Sequence, residues 1–147
     1  MSALITNKKA GFNYEILETF SAGIELFGFE VKSVRAGQGE LAAAHVTVRG
    51  GEAFLIGATI PPYQPKNSPK DYDPERNRKL LLTKKELDTM TTLENGKGLT
   101  IVPLSMYNKG RTIKIDIAIV RGKKKFDKRE TIKRRDTERE ILREMKG

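Results

Sequence analysis

Residues 99–120, LTIVPLSMYNKGRTIKIDIAIV, hold two β-rich runs joined at Asn108-Lys109-Gly110. In the second run Ile115, Ile117 and Ile119 alternate with other residues, the period of a half-buried strand. Asn and Gly supply the turn chemistry that a tight hairpin requires. A second hairpin is written in residues 45–60, HVTVRGGEAFLIGATI, with Gly50-Gly51 at the turn and Arg49 and Glu52 beside it. Residues 14–29, YEILETFSAGIELFGF, also alternate around Gly23, which predicts a bent strand or a bulged hairpin.

Helical signals are short. Residues 30–37, EVKSVRAG, place Val31 and Val34 at i, i+3, with Lys32 and Arg35 on another face and Gly37 as a stop. In LLLTKKELDTMTTLENGKG (80–98), Thr83 reads as an N-cap and Glu86 as its capping-box partner. Leu87, Met90 and Leu93 follow as the apolar face, and Gly96 and Gly98 end the helix. Between these elements, residues 61–79 carry five of the chain's six prolines and almost no apolar side chains, a long loop expected to be functional or disordered and, at Asp71, Asp73 and Glu75, solvated. The tally is five or six strands with two or three short helices. In a chain this small, closing an antiparallel sheet into a full or partial β-barrel removes the exposed edges. The fold class expected is therefore mainly β.

Beyond Val120 the pattern changes. Residues 121–147 contain 12 Lys and Arg against 6 Asp and Glu, whereas residues 1–120 contain 16 against 13. From Thr131 to Lys146 only Ile132, Ile141, Leu142 and Met145 are apolar, too few for a continuous helix face. The 147 residues thus divide into a folded unit, 1–121, and a basic tail, 122–147. The tail is expected to be disordered alone and helical only against a partner that supplies counter-charge.

A net charge of +9 favours a polyanionic partner, either nucleic acid or an anionic surface. With no cysteine, disulfides and thiolate metal sites are excluded. No apolar run reaches the ~18 residues of a membrane span, and no signal-peptide pattern opens the chain, so a cytoplasmic protein is expected. Catalysis finds no constellation. His45 is the single histidine and sits in an alternating strand, and Asp71, Asp73 and Glu75 lack the glycine and closing glutamate of a calcium loop. No metal, cofactor or catalytic residue is expected. Basic groups are better supplied: Lys8 and Lys9 before the first strand, Lys32 and Arg35 on the short helix, and Arg76, Arg78 and Lys79 at the end of the long loop. Spread over a small barrel they could track a phosphate backbone. A ribosomal or general single-strand RNA-binding protein is the alternative on these grounds, and the poor supply of His and clustered acids argues against a small RNA-processing enzyme.

Four segments in order carry a resemblance: NKKA (7–10), GFEVKSVRAG (28–37), DPERNRKLLL (73–82) and RGKKKFDKRETIK (121–133). They closely resemble the SsrA-binding protein (small protein B) family, the partners of transfer-messenger RNA in trans-translation, from about residue 5 to 135. The resemblance implies an oligonucleotide-binding-type barrel (OB-fold) that binds the tRNA-like domain of transfer-messenger RNA. It implies delivery to the A site of stalled 70S ribosomes with elongation factor Tu, by a protein expected to be monomeric. By position, Asn7, Lys8, Lys32, Arg35, Leu81 and Lys114 match places that contact the tRNA-like domain or support such contacts, with Lys9 alongside. Leu81, in the middle of KLLL, would otherwise be read as core. Gly122, Lys123, Lys124, Asp127, Lys128 and Arg129 match the tail motif that enters the small-subunit decoding centre and mRNA channel. Phe126 within it is placed to stack on a ribosomal base. One departure stands out: Ser21 occupies the place of the family's usual acid, and Glu25 lies nearby.

Overall fold

The computed structural model describes residues 3–64, 69–94 and 98–122. Among these described residues, seven strands and three helices follow in the order β1 (Ile5–Thr6), α1 (Ala10–Asn13), β2 (Tyr14–Ile24), α2 (Gly28–Arg35), β3 (His45–Arg49), β4 (Glu52–Ile56), β5 (Arg78–Leu81), α3 (Lys84–Glu94), β6 (Leu99–Lys109) and β7 (Thr112–Gly122). All pairings are antiparallel, in the order β1-β6-β7-β2-β5-β4-β3. β3 also packs against β6, which curls the sheet toward a barrel, and α3 covers β3, β6 and β7.

Both hairpins form where the turn residues place them. Gly50 and Gly51 have φ of +59° and +76°, the left-handed pair that a two-residue turn demands, and Arg49 stands opposite Glu52. Lys109 stands opposite Thr112, with Gly110 at φ +63° in the turn. β6 shifts register between Pro103 and Ser105, next to the residue that cannot donate to a ladder. The capping box before α3 is present: Glu86 accepts from the Thr83 amide at 3.0 Å, and the Glu86 amide donates to the Thr83 hydroxyl at 3.2 Å. Met90 on this helix is fully buried.

The core follows the inward period of β7. Ile113, Ile115, Ile117 and Ile119 pack with Leu55, Leu80, Met90, Ile101 and Met106. On the opposite face of the same strand, Ala118 and Val120 are buried with Val102 beneath Ala10 of α1. The short first helix thus covers one end of the outer face, and Lys114 and Asp116 remain half-buried at the other.

Two expectations are corrected. Of the two alternatives at Gly23, the bulged hairpin is ruled out: β2 runs as one strand through the glycine, and the irregularity lies between Ile16 and Glu18. Gly23 is where β2 passes from its β7 partner to β5, pairing with both. The Pro-rich stretch is likewise more than a solvated loop, because Tyr72, Arg76 and Arg78 fold back onto α2. β7 continues through Gly122, which pairs with Tyr14. The tail residues Lys123, Lys124, Phe126, Asp127, Lys128 and Arg129 lie outside the described residues.

Candidate nucleic-acid interface

Two sequence-predicted site residues, Leu81 and Lys114, meet around Gly23. On one side β5 sets Leu81 opposite Gly23, and on the other β7 sets Lys114 opposite the same glycine. Tyr107 of β6 continues the row beyond Lys114. Leu81 is 50% exposed although its neighbour Leu80 is buried in the core, so the KLLL run alternates and points its middle leucine outward. It folds over the glycine: a Cβ on Gly23 would stand 3.2 Å from the Leu81 Cβ and 3.3 Å from its Cδ1. The row therefore presents an apolar side chain and a lysine on one outer face, separated across two strands by roughly 10 Å.

The next row explains the setting of Ser21. It stands opposite Asp116 of β7, which in turn stands opposite Ser105 of β6. The Ser21 and Tyr107 hydroxyls share a hydrogen bond of 2.6 Å that spans β7. Asp116 thus places a carboxylate one strand away from Ser21, while Glu25 is exposed just beyond the end of β2.

The basic residues separate into different roles. Lys32 is exposed on α2. Arg35, one turn later, reaches to the β6–β7 turn, donating from Nε to Asn108 Oδ1 at 3.2 Å and from its guanidinium to the Arg111 carbonyl at 2.8 Å. That contact ties α2 to the hairpin carrying Tyr107 and Lys114. Lys8 and Lys9 are exposed beside an open groove of about 510 Å³ between β1 and the loop after α2. Asn7 is buried: it donates from Nδ2 to the Pro103 carbonyl at 2.9 Å and from its amide to the Leu104 carbonyl at 2.7 Å. It anchors the chain carrying Lys8 and Lys9 at the register shift of β6, a supporting position.

Arg76 and Arg78 do not belong to a phosphate-tracking stripe. Both converge on Glu30 of α2, whose side chain is fully buried. Arg78, also fully buried, donates to Glu30 Oε2 from Nε at 2.9 Å and from the guanidinium at 2.7 Å. Its other donors reach the carbonyls of Ala58, Arg76 and Pro74 and the Tyr72 hydroxyl. Arg76 binds Glu30 at 2.5 and 3.1 Å. Burial pushes the Glu30 carboxyl up, and bonds from Arg76, the Phe27 amide, Tyr72 and Arg78 more than reverse this, holding it below the ordinary glutamate value. Burial, followed by the bond to Glu30, pushes the Tyr72 hydroxyl up to about 12. Lys79, the last of that cluster, pairs with Glu52 at 3.0 Å. This network escaped sequence reasoning because its charged partners lie 46 and 48 residues apart. The one available signal was an arginine two residues before the inward-facing Leu80, on the same strand face.

The chain matches the family model for SmpB protein over residues 4–147. It is 53% identical to the SsrA-binding protein of Mesoplasma florum over 140 residues, covering 95% of this chain and 94% of that one. Against the SsrA-binding protein of Microcystis aeruginosa it is 51% identical over 140 residues, with 95% and 91% covered. The chain belongs to the SmpB family. A solved chain described as "tmRNA-SmpB: a journey to the center of the bacterial ribosome" is 44% identical and superposes with a TM-score of 0.69, covering 82% of this chain and 84% of that one. For an SmpB chain the mainly antiparallel β architecture is the family fold, as the resemblance implied. Among the described residues of this SmpB chain, no three His, Cys, Asp or Glu side chains group as a metal site. No described helix is long and apolar enough to cross a membrane.

Proposed function

We propose that this chain is a non-catalytic RNA-binding adaptor. It binds the tRNA-like domain of transfer-messenger RNA and delivers it to the A site of stalled ribosomes in trans-translation. The observation that carries the reading is the outer-face row of Leu81, Gly23 and Lys114 in a chain of this family. A lysine on that face gives phosphate attraction, which positions without reading sequence. An apolar side chain held flat over a glycine suits an unstacked base or a sugar edge, the features by which folded RNA is distinguished. Lys32, Lys8 and Lys9 add exposed positive charge, Arg35 braces the hairpin and Asn7 anchors the segment bearing Lys8 and Lys9.

In this reading the two parts of the chain divide the work. Residues 1–121 hold the RNA. The tail from Gly122, with Lys123, Lys124, Phe126, Asp127, Lys128 and Arg129, addresses the decoding centre and mRNA channel of the small subunit. Elongation factor Tu accompanies the complex, and the protein acts as a cytoplasmic monomer. Sequencing the RNA that co-purifies with the protein from its own cells tests the first half: transfer-messenger RNA is expected, and a broad mixture without it would overturn the reading. Truncation after Gly122 tests the second half. It should leave binding to the tRNA-like domain intact and abolish peptide tagging, whereas loss of RNA affinity would refute the division.

A further inference from the structure

Helix α2 starts on an unusual residue. N-cap positions favour Ser, Thr, Asp or Asn, whose short side chains accept from the first amides of the helix. Here the N-cap is Phe27, at φ −72° and ψ 157°, with no side-chain capping bond. Glu30 serves the cap from within the helix, accepting from the Phe27 amide at 2.7 Å. The aromatic ring is therefore not needed for capping, yet it stands 50% exposed.

Its surroundings hold it rigid. The Arg76 guanidinium lies over the ring, 4.1 Å from the centroid. Phe29 packs beside it at 5.6 Å with a tilt of 33°, and Phe29 in turn meets Tyr72 edge-on at 4.7 Å. Arg76 is fixed by its two bonds to Glu30 and by further donation to the carbonyls of Glu25 and Asn77. The result is an exposed aromatic surface backed by an immobilised cation. Shielding the Glu30–Arg76 pair from water accounts for the covered face. It leaves the outward surface without a purpose, and a half-exposed aromatic ring carries a hydration penalty that a polar cap would avoid.

We infer that Phe27 is a stacking platform for an unpaired base of the RNA partner, which rests on the RNA-binding reading above. A nucleobase is the occupant that fits the charge: the chain is +9, and the helix that Phe27 opens carries Lys32 and Arg35. Stacking on an exposed ring is sequence-tolerant and contributes about tenfold in affinity per base.

The chain contains no tryptophan, so Phe27→Trp introduces a single fluorescent reporter at the platform. Titration with the tRNA-like domain of transfer-messenger RNA should preserve affinity, quench the emission and shield the indole from acrylamide. Unchanged emission at saturating RNA overturns the platform and leaves the RNA-binding reading standing. Failure of the unsubstituted protein to bind that RNA overturns the reading itself. Phe27→Leu gives a second measurement, because leucine still covers Arg76 but cannot stack. It should keep the wild-type urea midpoint and lower RNA affinity about tenfold. Wild-type affinity in this variant also refutes the proposal.

Discussion

Replacing Glu30 by alanine tests the account of how helix α2 is held. The substitution removes both carboxylate oxygens from a site where Arg78 is fully buried. Four of the six hydrogen bonds described for Arg78 survive, to the carbonyls of Ala58, Arg76 and Pro74 and to the Tyr72 hydroxyl. The charge itself is no longer compensated, and a guanidinium cannot shed its proton to escape. Removing one partner of a buried pair typically costs about 3–5 kcal/mol. Loss of the Phe27 amide's acceptor acts in the same direction. Against a domain stability of about 5–15 kcal/mol, this is a large fraction. With a urea slope near 2 kcal/mol/M, the unfolding midpoint should fall by about 2 M, followed by circular dichroism. Arg76→Ala should cost markedly less, because Arg76 is a quarter exposed and Glu30 keeps Arg78. A Glu30→Ala midpoint within 0.5 M of wild type would show that the network does not hold α2, and the reasoning would fail.

The lowered Glu30 carboxyl gives a pH signature. The unfolded chain takes up the proton first as pH falls through about 4.5, so the stability this group contributes is complete above that pH and is lost toward its lower folded value. The stability gap between wild type and Glu30→Gln should therefore be constant from pH 7 to about 5 and shrink below, and a gap that widens on acidification would contradict it. Lys32→Ala should weaken RNA binding and reduce the salt slope of log K by about 0.9, the release of one phosphate contact; an unchanged slope makes Lys32 a solvated residue. Gly23→Ala forces Leu81 aside at 3.2 Å, so RNA affinity should drop while stability changes by less than about 1 kcal/mol. Undiminished binding would separate Leu81's placement from recognition.

The parts of the fold that sequence revealed are those written in local chemistry. Gly50-Gly51 and Gly110 specify turns, Thr83 and Glu86 specify a helix start, and the isoleucines of β7 specify an inward face. The parts that stayed hidden depend on distant partners. Glu30 and Arg78 look like surface charges until the long loop returns Arg78 to α2. Leu81 looks like core because a run of three leucines conceals the alternation that turns its middle member outward. Gly23 suggests a bend, and only the sheet order shows it shared between two ladders. For the site, the resemblance supplied Leu81 and Lys114 as separate residues, and the register of β2 between β5 and β7 joined them.

The central claim is that the outer face around Gly23 holds folded RNA. Its most direct test is equilibrium binding of the tRNA-like domain of transfer-messenger RNA to wild type and to the Leu81→Ala, Lys114→Ala double variant. A single-stranded RNA of equal length serves as competitor. Because Leu81 is half exposed and Lys114 lies on the outer face, the urea midpoint should stay near wild type. The account predicts that wild type prefers the folded RNA and that the double variant binds it at least about tenfold more weakly. Equal affinity of wild type and variant, or no preference of wild type for the folded RNA, would contradict it.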